Sequence, residues 1–270
     1  MNAATAAADD RRVVLVIGAS RGIGAAIATA FAATRAHIVL AARDGAALIR
    51  VAARITDADT DSCAVARPVD VTDENAVRGL LGYVDDQFGR LDVAVNNAGG
   101  SVRPPAPLQQ WTGAEFQASI AVNLTGTFLA MKYELELMAR TGGGSIINMS
   151  STTGQQPVAG LAGYVAGKYG VEGLTRVAAL DNAAAGIRVN AIAPGPILTD
   201  RLAAAGAHAQ AAAAAAVPLG RLGGTDDVAS AAVWLASPDS AFITGTTVTI
   251  DGGRLAGTPP FRGSAGTQPA

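Results

Sequence analysis

Strand-like runs alternating with helical patterns predict an α/β protein, a single-domain, doubly wound parallel sheet of about seven strands with helices on both faces. Three observations carry this expectation. Short apolar or β-branched runs recur between longer segments of helical periodicity. The first of them, Val13-Val14-Leu15-Val16-Ile17, is continuously apolar, as a strand covered on both faces should be. No composition break, Pro/Ser-rich linker or solenoid-length repeat interrupts residues 11–253.

Taken in order, the strands are Val13–Ile17, Ile38–Leu40, Cys63–Ala66, Val93–Val95, Ser145–Met149, Arg188–Ile192 and Thr247–Ile250. Helical periodicity fills the gaps at Ile23–Ala33, Ala46–Ile55, Asp73–Phe88, Ala114–Arg140, Tyr164–Ala184 and Thr225–Ala236. Asp44 suits the N-cap of the second helix. Residues 1–10 and the Gly/Pro/Thr-rich tail 254–270 lack periodicity and are expected to be mobile. Residues 200–217 form a low-complexity alanine segment between two well-patterned regions, a candidate substrate lid.

Composition excludes several function classes. A chain of 270 residues, half of them hydrophobic and 16% charged, can bury one sizeable core. A net charge of -2, with scattered arginines, offers no field for nucleic acid. No segment is long and apolar enough for a bilayer, and the N-terminal run lacks a basic n-region, so a cytoplasmic protein is expected. The single cysteine, Cys63, lies in an apolar stretch and reads as core. His37 and His208 are isolated and lack ligand spacing, so no metal site is expected.

The chemistry lies in linked motifs. The first strand runs into Gly18-Ala19-Ser20-Arg21-Gly22-Ile23-Gly24, with a helix following at once. Glycines there let the backbone approach a pyrophosphate, which the free N–H groups of the helix favour. The same spacing also makes an ordinary tight βα turn. The end of the second strand should lie near an adenosine ribose, where NAD sites place a carboxylate and NADP sites a cation. Here Ala41-Ala42-Arg43 offers a guanidinium, with Arg21 placed to help it hold a 2′-phosphate.

Tyr164 and Lys168 are one helical turn apart, and the chain has only one other lysine, Lys132. A phenol is a poor acid–base catalyst near neutrality, and an adjacent ammonium is expected to lower its pKa. Alone, such a pair is more often helix surface.

Together, the run from Ile17 to Gly24, Asp70 after Pro68-Val69, Asn96-Asn97-Ala98-Gly99, Asn123, Ser151, Tyr164, Lys168, and Pro194-Gly195 followed by Thr199 resemble the short-chain dehydrogenase/reductase family. The resemblance covers roughly residues 11–253 and implies a Rossmann-like fold. It implies that Ser151 hydrogen-bonds the substrate oxygen, that Tyr164 exchanges its proton, and that Lys168 binds the nicotinamide ribose. Asn123 would hold a proton-relay water. Ser151, thirteen residues before Tyr164, is preferred over its neighbour Ser150. Gly18, Ser20, Arg21, Gly22, Ile23 and Gly24 would cradle the pyrophosphate, and Arg43 the 2′-phosphate. Asp70 and Val71 would meet the adenine, Asn97, Ala98 and Gly99 would flank the cofactor, Ile197 with Thr199 would hold the carboxamide, and Pro194 and Gly195 would also lie at the cofactor. One position departs: Ile17 stands where a threonine is usual.

The expected function is an NADP(H)-preferring oxidoreductase, with NAD(H) possible, acting on a carbonyl or secondary alcohol of a small molecule. Arg103, Gln155, Gln156 and the alanine-rich segment are candidate pocket neighbours. The alternatives are a 3-oxoacyl-(acyl-carrier-protein) reductase and a non-catalytic NADP(H) sensor or scaffold. Basic docking residues of carrier-protein reductases are replaced here by Gly142 and Ala185, which weakens the first. Retention of Asn123, Ser151, Tyr164 and Lys168 weakens the second. The resemblance also implies a homotetramer, or a homodimer, assembled through the Ala114–Arg140 and Tyr164–Ala184 helices and the last strand.

Overall fold

The computed structural model describes residues 10–58 and 61–257. The two ends expected to be mobile lie mostly outside the described residues. Seven parallel strands form one sheet: β1 (Arg12–Ile17), β2 (Ala36–Ala42), β3 (Cys63–Pro68), β4 (Val93–Asn96), β5 (Gly144–Met149), β6 (Ile187–Pro194) and β7 (Thr247–Ile250), in the order β3-β2-β1-β4-β5-β6-β7. Every neighbouring pair is parallel. The helices are α1 (Gly22–Ala32), α2 (Gly45–Thr56), α3 (Glu74–Phe88), α4 (Gly113–Ile120), α5 (Gly126–Thr141), α6 (Ala162–Asn182), α7 (Asp200–Ala204), α8 (Ala207–Ala215) and α9 (Thr225–Leu235).

The continuous apolar run of β1 divides by strand alternation between two cores. Val14 and Val16 join one cluster with Ile27 and Phe31 of α1, Leu48 and Val51 of α2, and Val228 and Leu235 of α9. Val13, Leu15 and Ile17 join the other, with Leu80 and Val84 of α3, Leu137 and Met138 of α5, and Ala178 of α6. Ile17, the departure from the family pattern, is therefore held by burial, at 1% exposure. Strand order reverses between β1 and β4, and the crevice beyond their C-terminal ends is where such sheets bind ligands.

Two local expectations are corrected. Cys63 is exposed, because β3 is an edge strand and Cys63 opens it, so its apolar neighbours do not make it core. The expected single helix Ala114–Arg140 is divided by a π turn, Ala121–Thr125, in which the Gly126 N–H reaches back to the Ala121 carbonyl. The wider turn brings Asn123 to full burial. The alanine-rich segment forms the short helices α7 and α8, neither with a buried residue.

Candidate active site

The turn after β1 is built by close backbone approach. Gly18 has φ +84°, donates its N–H to the Ala41 carbonyl at 2.6 Å, and leaves no room for a side chain, since a Cβ would lie 2.6 Å from the Ala98 nitrogen. Asn97 donates its side-chain amide to the Gly18 carbonyl at 2.9 Å, tying the turn to the end of β4. A Cβ on Gly24 would run into the Gly18 carbonyl oxygen and come within 2.6 Å of Asn97 Nδ2. α1 begins at Gly22 with no side-chain cap and no acid in its first turn, which leaves N–H donors for an anion.

These elements wall an open cleft of about 1930 Å³. That exceeds the ~300–1,000 Å³ of pockets for drug-sized ligands and suits a dinucleotide with a small second molecule. Gly18, Ser20, Arg21, Gly22, Ile23, Arg43, Asp70, Val71, Asn97, Ala98, Gly99, Tyr164, Lys168 and Thr199 all line it. The cradle fits a dinucleotide, because the uncapped N–H groups at the start of α1 face a cleft lined by Gly18, Ser20 and Gly22. Arg43 follows the end of β2 and Met149 ends β5, three strand positions away, so the cleft spans roughly 14 Å of sheet.

Charge at the β2 end is arranged for an anion. Asp44 is turned away to cap α2, accepting the Ala47 N–H at 2.9 Å. Asp70 accepts both the backbone N–H and the hydroxyl of Thr72, at 3.0 and 2.8 Å. Those bonds, with a smaller contribution from Arg43, hold its carboxyl below the ordinary range. Arg50 and Arg54 of α2 also line the cleft. Sequence reasoning missed them, although their spacing of four puts them on one helical face beyond Arg43.

At the other end, α6 carries Tyr164 and Lys168. Lys168 is buried, with its Nζ 5.6 Å from the Tyr164 ring centroid and donating to the Met149 carbonyl at 2.7 Å. Two of its three N–H donors remain for other acceptors. Desolvation lowers its pKa to about 8. Ser151 lies beside Tyr164, close enough to favour its ionised form. Burial raises the phenol above its ordinary value, and Ser151 and the nearby Arg201 oppose that rise only in part. The expected lowering by Lys168 is thus corrected: Lys168 does not figure among its causes in the free protein, where desolvation prevails.

The two adjacent serines separate: Ser150 donates to the buried Glu172 Oε1 at 2.9 Å, while Ser151 lies beside Tyr164. Asn123 accepts the Gly100 N–H at 2.8 Å and donates to the Gly100 and Ser119 carbonyls at 2.9 Å each. Its amide is therefore committed to backbone. Gly99 keeps this corner open, since a Cβ there would sit 2.8 Å from Asn123 Oδ1 and 3.2 Å from Lys168 Nζ.

Several expected contacts fall outside the cleft wall. Pro194 ends β6, Gly195 donates its N–H to the Ile250 carbonyl at 2.9 Å, and Ile197 is buried and bridged to Gly223. They frame the segment that presents Leu198, Thr199, Asp200 and Arg201 to the cleft. Arg103 is drawn to Glu115 at 2.7 Å, and Gln155 to Thr249 at 3.1 Å; neither lines the cleft, nor does Gln156. Among the described residues no helix is long and apolar enough to cross a membrane, and no cluster of three metal-ligating side chains occurs.

Comparison with known proteins agrees with this geometry. A family model described as enoyl-(acyl carrier protein) reductase matches residues 18–254. Cis-4-hydroxycyclohexanecarboxylate dehydrogenase of Sinomonas cyclohexanicum is 41% identical over 246 residues, covering 91% of this chain and 97% of that one. A 3-oxoacyl-[acyl-carrier-protein] reductase of Vibrio cholerae is 38% identical over 242 residues, covering 90% and 96%. The crystal structure of levodione reductase superposes with a TM-score of 0.87 at 33% identity, covering 92% of this chain and 98% of that one. The chain belongs to the short-chain dehydrogenase/reductase family, as an oxidoreductase of alcohol and ketone groups that uses a nicotinamide cofactor.

Proposed function

We propose that the protein is an NADP(H)-preferring reductase or dehydrogenase of a small-molecule ketone or secondary alcohol, with Ser151, Tyr164 and Lys168 as its catalytic residues. The observation that carries this reading is the convergence of Tyr164 and Lys168, with Ser151 beside Tyr164, at one end of a glycine-walled cleft that has Arg21, Arg43, Arg50 and Arg54 at the other. When bound, the nicotinamide supplies or accepts the hydride. Ser151 and Tyr164 donate hydrogen bonds to the substrate oxygen as negative charge develops on it, and Tyr164 then delivers its proton. Its raised pKa keeps that proton available at neutral pH. Lys168, charged below about pH 8, orients the ribose through its two free donors. Asn123 positions the Gly100 backbone beside them.

The preference for NADP(H) rests on Arg43 and Arg21, and on Asp44 being occupied as a helix cap. In Arg43→Ala, NADPH affinity should fall by about 10- to 100-fold while NADH affinity changes little, because the lost bidentate pair is made only by the 2′-phosphate. Parallel titration calorimetry reads this directly. Equal or tighter binding of NADH by the unaltered chain would overturn the preference.

A carrier-protein substrate is disfavoured because Gly142 and Ala185, joined by the packing of their neighbours Gly143 and Gly186, offer no cation, and Arg140 nearby is engaged by Asp85 at 2.8 Å. A non-catalytic sensor is disfavoured by the intact Ser151, Tyr164 and Lys168. Exposed Phe128 on α5, Val177 and Leu180 on α6, and Phe242 before β7 support a homotetramer or homodimer. Light scattering should show an assembly, and a persistent monomer would refute it. The cytoplasmic location expected above is retained, since a chain with one cysteine has no intrachain disulfide to protect.

A further inference from the structure

We infer that Arg201 is a specificity-determining residue, a clamp that selects substrates carrying a carboxylate a few ångströms from the reacting carbon. This rests on the hydride-transfer reading above and adds the substrate's charge to it. Arg201 lies in the first turn of α7, directly after Thr199, whose methyl carbon is near Gly22 of the glycine turn. It lines the same cleft as Tyr164 and Lys168.

Of the six cations on that wall, Arg21, Arg43, Arg50 and Arg54 come from the first βα turn, the end of β2 and α2. Lys168 is buried and bound to the Met149 carbonyl. Arg201 therefore remains as the cation at the reacting end with its donors free. Its side chain makes no hydrogen bond or ion pair among the described residues, not even with the adjacent Asp200. Arg103, the other cation expected near substrate, is spent on Glu115, the Gln110 carbonyl and the Trp111 ring. Arg201 is also close enough to favour the Tyr164 phenolate, so its field reaches the atom that must meet the substrate oxygen.

The remaining cleft wall includes Val102, Val122, Met149 and Leu198, which suits an apolar body. A hydroxy or oxo acid with a compact hydrocarbon frame satisfies both features. Its oxygen meets Ser151 and Tyr164, the frame packs on the apolar side chains, and the carboxylate takes the planar guanidinium fork.

The test uses the full chain saturated with whichever nicotinamide dinucleotide it binds, titrated calorimetrically with cyclohexanecarboxylate and, separately, cyclohexanecarboxamide. These probes differ in charge and little in shape, and neither has a carbinol to react. The unaltered chain should bind the acid at least about tenfold more tightly than the amide. Arg201→Met should abolish that discrimination, Arg201→Lys should restore part of it, and dinucleotide affinity should be unchanged in both. Failure of the unaltered chain to prefer the acid overturns the inference, as does an unchanged acid-to-amide ratio in Arg201→Met. A loss of dinucleotide affinity in that variant also overturns it, because the guanidinium would then serve the pyrophosphate. Discrimination is read without turnover, so a chain that separates acid from amide but oxidises no alcohol would sink the hydride-transfer reading alone.

Discussion

Tyr164→Phe should lower turnover by at least about a thousandfold while leaving dinucleotide affinity within about twofold of the unaltered protein. The substitution removes one oxygen and keeps the ring that packs in the half-buried pocket near Lys168. General acid catalysis contributes ~10²–10⁴-fold. The upper part of that range applies here because Ser151, the other donor at the site, has no acidic proton to deliver. On the proposed reading the dinucleotide is held by other groups, namely the backbone of Gly18 to Gly22, the arginines at the β2 end and Lys168. Calorimetry with the cofactor and single-turnover kinetics with any ketone substrate separate the two effects. Residual turnover within tenfold of the unaltered enzyme would remove Tyr164 from the proposed role and turn attention to water as the proton source.

Much of this site is readable before any coordinates exist, for a physical reason. Gly18 and Gly24 are required by close approach and Gly22 by its φ of +54°, so their spacing reports the turn directly. Tyr164 and Lys168 share a helical face by local geometry alone. The uninterrupted apolar run of β1 announces a strand buried on both sides. What stays hidden depends on neighbours distant in sequence. Cys63 looks like a core position until the sheet order puts β3 on the edge. The π turn at Ala121–Thr125 barely disturbs the hydrophobic periodicity of residues 114–140, yet it buries Asn123. The alanine run after Thr199 has no apolar stripe to mark its helical face, so neither the two short helices nor the position of Arg201 can be read from it. The expectation for the Tyr164 phenol fails for a related reason, because spacing reports a neighbouring charge but not the desolvation that opposes it.

Glu134 exposes the same gap and yields a large effect on stability. A carboxyl argues for the surface, yet Glu134 shares the buried face of α5 with Ala130, Met131, Leu137 and Met138 and is fully buried, accepting from Asn96 Nδ2 at 2.9 Å behind the ends of β4 and β5. Asn96 also donates to Asn148 Oδ1 at 3.0 Å, and Asn148 to Thr175 at 2.9 Å, so the carboxyl terminates a polar chain inside the second core. Glu134 Oε1 and Asn96 Oδ1 have no partner among the described residues. Both are acceptors when the carboxyl is ionised, and a proton makes Oε1 a donor. Burial accordingly raises the Glu134 pKa from 4.5 to about 8, against the opposing bond from Asn96. Below pH 4.5 the group is protonated whether the chain is folded or not. Between pH 4.5 and about 8 only the folded chain keeps the proton, so stability falls as pH rises, by about 1.4 kcal/mol per unit. Above about pH 8 the folded carboxyl ionises too and the slope flattens. Glu134→Gln keeps the shape, supplies a permanent N–H donor and removes the dependence. It should leave stability at pH 4.5 nearly unchanged and raise the melting temperature progressively toward pH 8, by about 2–4 °C for each kcal/mol. Glu134→Leu, which leaves one Asn96 N–H without a partner, should destabilise at pH 4.5 and share the pH-independence of Glu134→Gln. Thermal unfolding across that range checks both variants, and parallel pH profiles for Glu134→Gln and the unaltered protein would show that Glu134 is already ionised inside the fold.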